Sequence, residues 1–375
     1  MTRSLKIGRI YGISIEVDYT WFVVFFLFAY LLSRPGGPLT RDLPDLSTGA
    51  RWLLAAFTTL LFFASVLLHE LSHSLVALRN GMSITGITLF IFGGVSKMSD
   101  EPRSPGIEFK MAIAGPAASF VLAVAFYLLA LLVGVGPGHV LGSVFLWLAF
   151  VNAMLGAFNL LPGFPLDGGR VLRAGLWRWL NSLGEATRIA SAFGQGLGTL
   201  MIVVGVFLFF AGGGFNGLWM AFIGWFLIQA AQSGYQQVLV RQLLADVRVG
   251  DVMTREVDRV PADCTLEEVV HEHVMMRSHP AYPVFDDGRL MGLISLQDIR
   301  HVPREQRYHV TAREVVPALS ETQTIAPEVE VWEALGRMLT SNQGRLLVLD
   351  DGNMVGIISR TDILRVMRAR MELGG

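Results

Sequence analysis

His69, Glu70 and His73 stand in the order His-Glu-Leu-Ser-His inside a run that otherwise reads as one long apolar helix. At 3.6 residues per turn, positions four apart project from one face, so both imidazoles can reach a single ion. Glu70, one residue on from the first histidine, can contact water bound to that ion. The same pattern also arises by chance on solvated helix surfaces. Location weighs against that origin here, because the uncharged stretch 52–68 precedes the motif and ionisable groups at a membrane boundary are costly and by default functional. Counted from Trp52, His69 lies about 25 Å along the helix, close to the far face of a bilayer.

A catalytic zinc ion commonly takes three protein ligands and keeps a fourth position open. The third must come from elsewhere in the chain. Cys264, the single cysteine, lies in the charged C-terminal part, and His139 lies in a short loop expected on the opposite side of the membrane. Asp167 remains, just after the fourth apolar run in Asn159-Leu160-Leu161-Pro162-Gly163-Phe164-Pro165-Leu166-Asp167-Gly168-Gly169. Its other reading is an aspartate capping a turn ahead of two glycines.

These residues need elements to position them. Of 375 residues, 52% are hydrophobic and 16% charged, too apolar a balance for an ordinary soluble chain. A bilayer core takes about 20 apolar residues per helix, and six stretches qualify, at 18–33, 52–78, 111–135, 141–161, 189–211 and 215–231. Arg3, Lys6 and Arg9 precede the first stretch as in a signal peptide, but no small-residue cleavage site follows, so a retained span is expected. Lysine and arginine concentrate in the connections on the side of the N-terminus, among them Arg79, Lys97, Arg103 and Lys110, then Arg170, Arg173 and Arg178. Retained positive charge marks the cytoplasmic side, so both termini are expected there, in the cytoplasmic membrane. Residues 84–98, β-branched and aromatic around Gly93-Gly94, read as strands too apolar for water, packed at membrane depth. Pro162 and Pro165 end the fourth helix. A net charge of −1 gives no nucleic-acid footprint.

Beyond Val249 the chain repeats itself. Gly292-Leu293-Ile294-Ser295-Leu296-Gln297-Asp298-Ile299 is echoed by Gly356-Ile357-Ile358-Ser359-Arg360-Thr361-Asp362-Ile363, and an Asp-Asp-Gly turn between strand-like runs precedes each copy. Two copies of one small α/β unit are expected.

The first 235 residues resemble the site-2 protease family of intramembrane metalloproteases. The resemblance is carried by the His-Glu-x-x-His motif, the stretch from Asn159 to Gly169, the Gly93-Gly94 segment and Ala114-Gly115-Pro116-Ala117. Residues 7–17 look like the lead-in of that family's branch with appended modules. The resemblance implies a zinc endopeptidase acting on a single-span transmembrane substrate, with His69, His73 and Asp167 on the metal and Glu70 as general base. It also implies Asn159, and with it Asn152, as donors to the substrate backbone or oxyanion; Asn152 reads equally as a helix-to-helix hydrogen bond. Gly93-Gly94 resembles the family's membrane-embedded strand, which implies pairing with unwound substrate; a simple packing hairpin is its other reading. The repeated unit resembles the CBS domain, which implies either an adenine nucleotide such as ATP, with Ser295 and Ser359 toward phosphate and Asp298 and Asp362 toward ribose, or a pair that binds nothing and serves only as the surface of a homodimer. The expected fold class is therefore a polytopic α-helical membrane protein with a membrane-embedded strand segment, joined to an α/β CBS pair. Its divisions are 1–235 for the protease, 236–248 for a linker, and 249–305 and 306–375 for the modules. A metal-ion transporter or channel regulated by the same modules is the competing expectation. It calls for polar groups at several membrane depths, whereas here they gather near one face.

Overall fold

The computed structural model describes residues 4–37, 39–40, 46–91, 93–98, 101–136, 138–275, 281–341 and 343–373. The chain forms two compact units, Met1–Gln236 and Gln237–Gly375.

In the first unit, β1 (Ser4–Ile10) and β2 (Ile13–Asp18) make an antiparallel hairpin. Tyr11 and Gly12 both take positive φ, 50° and 81°, as tight two-residue hairpin turns require. β2 buries Ile13, Ile15 and Val17 at alternate positions. Asp18 then caps α1 (Tyr19–Ser33), accepting from the Thr20 amide at 2.9 Å. α2 (Thr48–Arg79) starts behind a Ser47 cap. After it, β3 (Ile84–Phe90) and β4 (Gly93–Met98) pair antiparallel, and β3 runs parallel to β2, giving the order β1-β2-β3-β4 with β4 at an edge. One face of this sheet shares a core of Ile13, Ile15, Ile87, Leu71, Ala77 and Met111 with α2 and α3 (Pro105–Val133).

α3 opens with Pro105 behind Ser104, a position where the missing amide hydrogen costs nothing. α4 (Val140–Asn159) packs along α3. The prolines at 162 and 165 keep 160–166 non-helical before α5 (Asp167–Leu180) and α6 (Leu183–Leu208). A π-turn with Gly212 at φ 93° leads into α7 (Phe215–Leu244).

Among the described residues, four helices are long and apolar enough to cross a membrane: Thr48–Arg79, Pro105–Val133, Val140–Asn159 and Leu183–Gly213. That is two fewer than the six expected. The first expected span forms α1, 15 residues long; at 1.5 Å per residue it reaches about 22 Å, short of a hydrocarbon core of about 30 Å. The sixth falls in α7, where Asn216, Gln229 and Gln232 dilute the apolar run.

The second unit contains α8 (Val249–Val252), β5 (Val260–Pro261), α9 (Leu266–Glu268), β6 (Ala281–Asp286), β7 (Arg289–Ser295), α10 (Leu296–Arg300), α11 (Ala312–Val315), β8 (Thr324–Ile325), α12 (Val331–Thr340), β9 (Arg345–Asp350), β10 (Asn353–Ser359) and α13 (Arg360–Glu372). Its two sheets, β5-β6-β7 and β8-β9-β10, share one plan, a parallel pair followed by an antiparallel hairpin. Positive φ at Asp287-Gly288 and Asp351-Gly352 closes the two hairpins. The short lead helices are exchanged between repeats, with Val249 in the core of the second and Ala312 in that of the first. Residues 236–248, expected as a linker, are instead helical through Leu244. Leu244 and Val247 are buried with Ile325, Met338 and Leu346 in the core of the second unit.

Candidate metal centre

His69 and His73 lie one turn apart on α2, 3% and 5% exposed. Their Nε2 atoms are 3.2 Å apart, and Asp167 Oδ2 is 3.1 Å from each. The other imidazole nitrogens are both engaged by α3: His69 Nδ1 is 2.8 Å from Ser119 Oγ, and His73 Nδ1 is 2.6 Å from Met111 O. A carbonyl oxygen only accepts, so His73 Nδ1 carries the hydrogen, and the Nε2 of the neutral ring presents a lone pair to Asp167. Two acceptors facing each other at 3.1 Å need a cation or a proton between them. Two imidazoles with supported Nδ1 atoms and one carboxylate are the donor set that zinc takes while leaving one position open. Ligand atoms of all three lie within 4.8 Å of one another, and they form the group of this kind found among the described residues.

The backbone makes room for this cluster. A Cβ at Gly115 of α3 would stand 2.6 Å from His69 Nε2 and closer still to His73 Nε2. Asp167 is the first residue of α5, and Leu166 rather than Asp167 occupies the capping position. Its carboxylate is therefore turned to the imidazoles instead of closing the helix. Gly168 and Gly169 permit that turn, since a Cβ on either would strike the backbone of 160–163, reaching 2.5 Å from Leu161 O and Gly163 O respectively.

Glu70, half-buried, points to β4. Gly94 presses against its side chain, Ser96 Oγ is 3.4 Å from Glu70 Oε2, and Ser96 Oγ is 3.0 Å from Ser74 Oγ. The carboxylate thus sits between the histidine-bearing helix and an edge strand. Asn159 donates to Leu155 O at 3.0 Å, within its own helix. Asn152 is fully buried and donates to Ser65 Oγ of α2 at 3.3 Å and to Leu148 O at 2.8 Å, the helix-to-helix bond expected as its alternative role. Neither asparagine has a hydrogen bond to His69, His73 or Asp167.

In the second unit, each predicted ligand pair closes a helix. Ser295 Oγ and its amide bond Asp298 Oδ2 at 2.5 and 2.8 Å, starting α10. Ser359 Oγ and its amide bond Asp362 Oδ2 at 2.6 and 2.9 Å, starting α13. These are capping boxes, with one oxygen of each carboxylate committed to the cap. Arg345 of β9 lies close enough to feel Asp362. Burial pushes its guanidinium below the ordinary value, and Asp362 and Tyr282 oppose that shift.

Ser119 and Met111 O, which orient the imidazoles, were not singled out from the sequence, nor was the Glu108–Arg173 pair between α3 and α5. A glutamate four residues into an apolar helix was the one available signal.

The model of peptidase family M50 matches residues 57–141 and 137–204, and that of the CBS domain matches 249–305 and 310–369. "Putative zinc metalloprotease Rip3" of Mycobacterium tuberculosis is 36% identical over 370 residues, covering 98% of this chain and 93% of that protein. "Zinc metalloprotease MJ0392" of Methanocaldococcus jannaschii is 30% identical over 368 residues, covering 98% and 97%. Among solved structures, the site-2 protease from Methanocaldococcus jannaschii is 29% identical, covering 62% of this chain and 94% of that one, with a TM-score of 0.42. The chain belongs to peptidase family M50, the site-2 protease family of zinc metalloproteases, and carries a C-terminal pair of CBS domains.

Proposed function

We propose that this multi-pass M50 metalloprotease is an intramembrane endopeptidase that cuts the transmembrane segment of a single-span substrate and is modulated by adenine nucleotide at its CBS pair. The observation that carries this reading is the convergence of His69, His73 and Asp167 from two helices, with Glu70 one residue from the first ligand and against an edge strand. Zinc bound by the three would polarise the scissile carbonyl and lower the pKa of the attacking water. Glu70, beside the first ligand, would take the proton of that water and pass it to the leaving amine. A peptide bond inside a transmembrane helix is reachable only after local unwinding, and the free edge of β4 at Gly93-Gly94 can take up the released amides. Asn159 can serve the substrate backbone by turning from Leu155.

In this reading α1, with its flanks completing the crossing, and the first part of α7 make up six spans in the cytoplasmic membrane, with both termini cytoplasmic and the strand segment at membrane depth. The reading of nucleotide at the CBS pair rests on the two CBS-domain matches, 249–305 and 310–369.

The test is purified wild type against Glu70→Gln with a model transmembrane substrate. Cleavage by the wild type alone, with equal zinc content in both, is expected. Equal cleavage by both, or no cleavage with zinc carried across vesicle membranes by both, would sink the protease reading, the second result in favour of a transporter.

A further inference from the structure

We propose that Glu108 and Arg173 are positioning residues of the metal centre, a buried ion pair that pins α5 to α3 and so holds the Asp167 carboxylate at the two imidazoles. Glu108 is fully buried and Arg173 is 5% exposed. Arg173 Nε donates to Glu108 Oε1 at 2.6 Å, and Arg173 Nη2 bonds the same oxygen. Arg170, one turn earlier on α5, brings its Nε to 3.9 Å from that oxygen. The guanidinium of Arg173 also lies over the Phe164 ring, 5.1 Å from its centre. One side chain therefore grips both the neighbouring helix and the turn that delivers the ligand.

The partner helix is the one that supports the histidines. Glu108, Met111, Gly115 and Ser119 are spaced by three, four and four residues, so they share one face of α3. All four are buried. Ser119 and Met111 O fix the imidazole rings, Gly115 clears the space between them, and Glu108 fixes the helix that carries the third ligand.

A buried ion pair is weak evidence for stability, because apolar side chains of similar volume often do as well. What a forked guanidinium adds over apolar packing is direction. Asp167 lies six residues from Arg173, about 9 Å along α5, so a tilt of about 10° there displaces the carboxylate by about 1.5 Å, several times the tolerance of about 0.2 Å on a metal–ligand distance.

The inference rests on zinc being held by His69, His73 and Asp167, and the experiment separates the two. Zinc affinity of the purified full chain is measured by competition with a chelator. The ligand-field spectrum of the cobalt(II) form is recorded with it, and thermal unfolding is followed in parallel. Variants are His69→Ala, Arg173→Lys and the neutral double variant Glu108→Gln/Arg173→Met. Expected for the double variant are zinc binding weakened about tenfold or more, an altered cobalt spectrum and an unfolding midpoint near wild type. Arg173→Lys keeps the charge and loses the fork. It is expected to fold and to show a smaller loss in the same direction, which keeps the test decisive if the double variant unfolds. Loss of zinc by His69→Ala, with wild-type affinity and an unchanged cobalt spectrum in the other two, would overturn the positioning role and leave the metal centre standing. Unchanged zinc binding by His69→Ala would instead remove the metal centre on which the proposal rests.

Discussion

Gly94 on β4 faces Glu70 on α2 with no space for a methyl group between them: a Cβ at 94 would stand 2.9 Å from Glu70 Cδ and closer still to Cγ. Either the strand or the carboxylate must yield if a side chain is added. Gly94→Ala is therefore expected to lower kcat by about 100-fold, the cost of roughly 1 Å of misplacement at a reacting group, with zinc content unchanged. Metal analysis beside a cleavage assay checks this, and a loss of zinc together with activity would contradict it.

Ser119 holds His69 through Nδ1 at 2.8 Å. Removing such a partner typically costs about 10- to 100-fold in metal affinity. Ser119→Ala should weaken zinc binding by that factor, read by chelator competition, whereas Ser119→Thr, which keeps a hydroxyl, should recover part of it.

Glu16 accepts from Lys97 Nζ at 2.7 Å across β3 and from Ser4 Oγ at 2.8 Å. The Lys97 hydrogen bond, then that of Ser4, holds its carboxyl below the ordinary value of 4.5. A depressed folded-state pKa stabilises the fold above the unfolded value, and that stabilisation is lost as pH falls through the folded one. Lys97→Met should thus cost under about 1 kcal/mol at neutral pH, as expected for a half-exposed pair. It should also flatten the decline of the unfolding midpoint below about pH 4.5. Parallel acid limbs for the two proteins would show that the pair contributes nothing.

Asp362 caps α13 through the Ser359 amide and hydroxyl. Asp362→Ala should lower the stability of the second unit by about 1 kcal/mol, and on the nucleotide reading should also weaken ATP binding, with Asp298→Ala acting alike at α10. Calorimetry with the full chain decides the second point. No binding by the wild type removes nucleotide regulation and leaves the capping role untouched.

How far this was legible in the sequence depended on the range of the interactions. His69, Glu70 and His73 are separated by helical periodicity alone, so their common element could be read directly, and Asp167 followed from the absence of rivals in an apolar region. The strands at 84–90 and 93–98 declared themselves through β-branched residues and Gly93-Gly94. Ser119, Met111 and Glu108 did not. They act on partners 50, 38 and 65 residues away, and a serine, a backbone carbonyl and a glutamate near a helix start look ordinary until the helices are packed. The joining of β2 to β3 is equally non-local. At Ser295 and Ser359 a local capping signal was legible beside the ligand role that the CBS resemblance implied, and a Ser-x-x-Asp box can serve either purpose.

Since one face of α3 underlies both imidazoles and, through Arg173, the carboxylate, the ligands lack separate foundations. Free-energy losses from paired substitutions along that face should then fail to sum, with the second change costing far less than it does alone. A shared strut would couple the three ligand positions, so that affinity for the ion falls in linked steps rather than as three independent contributions.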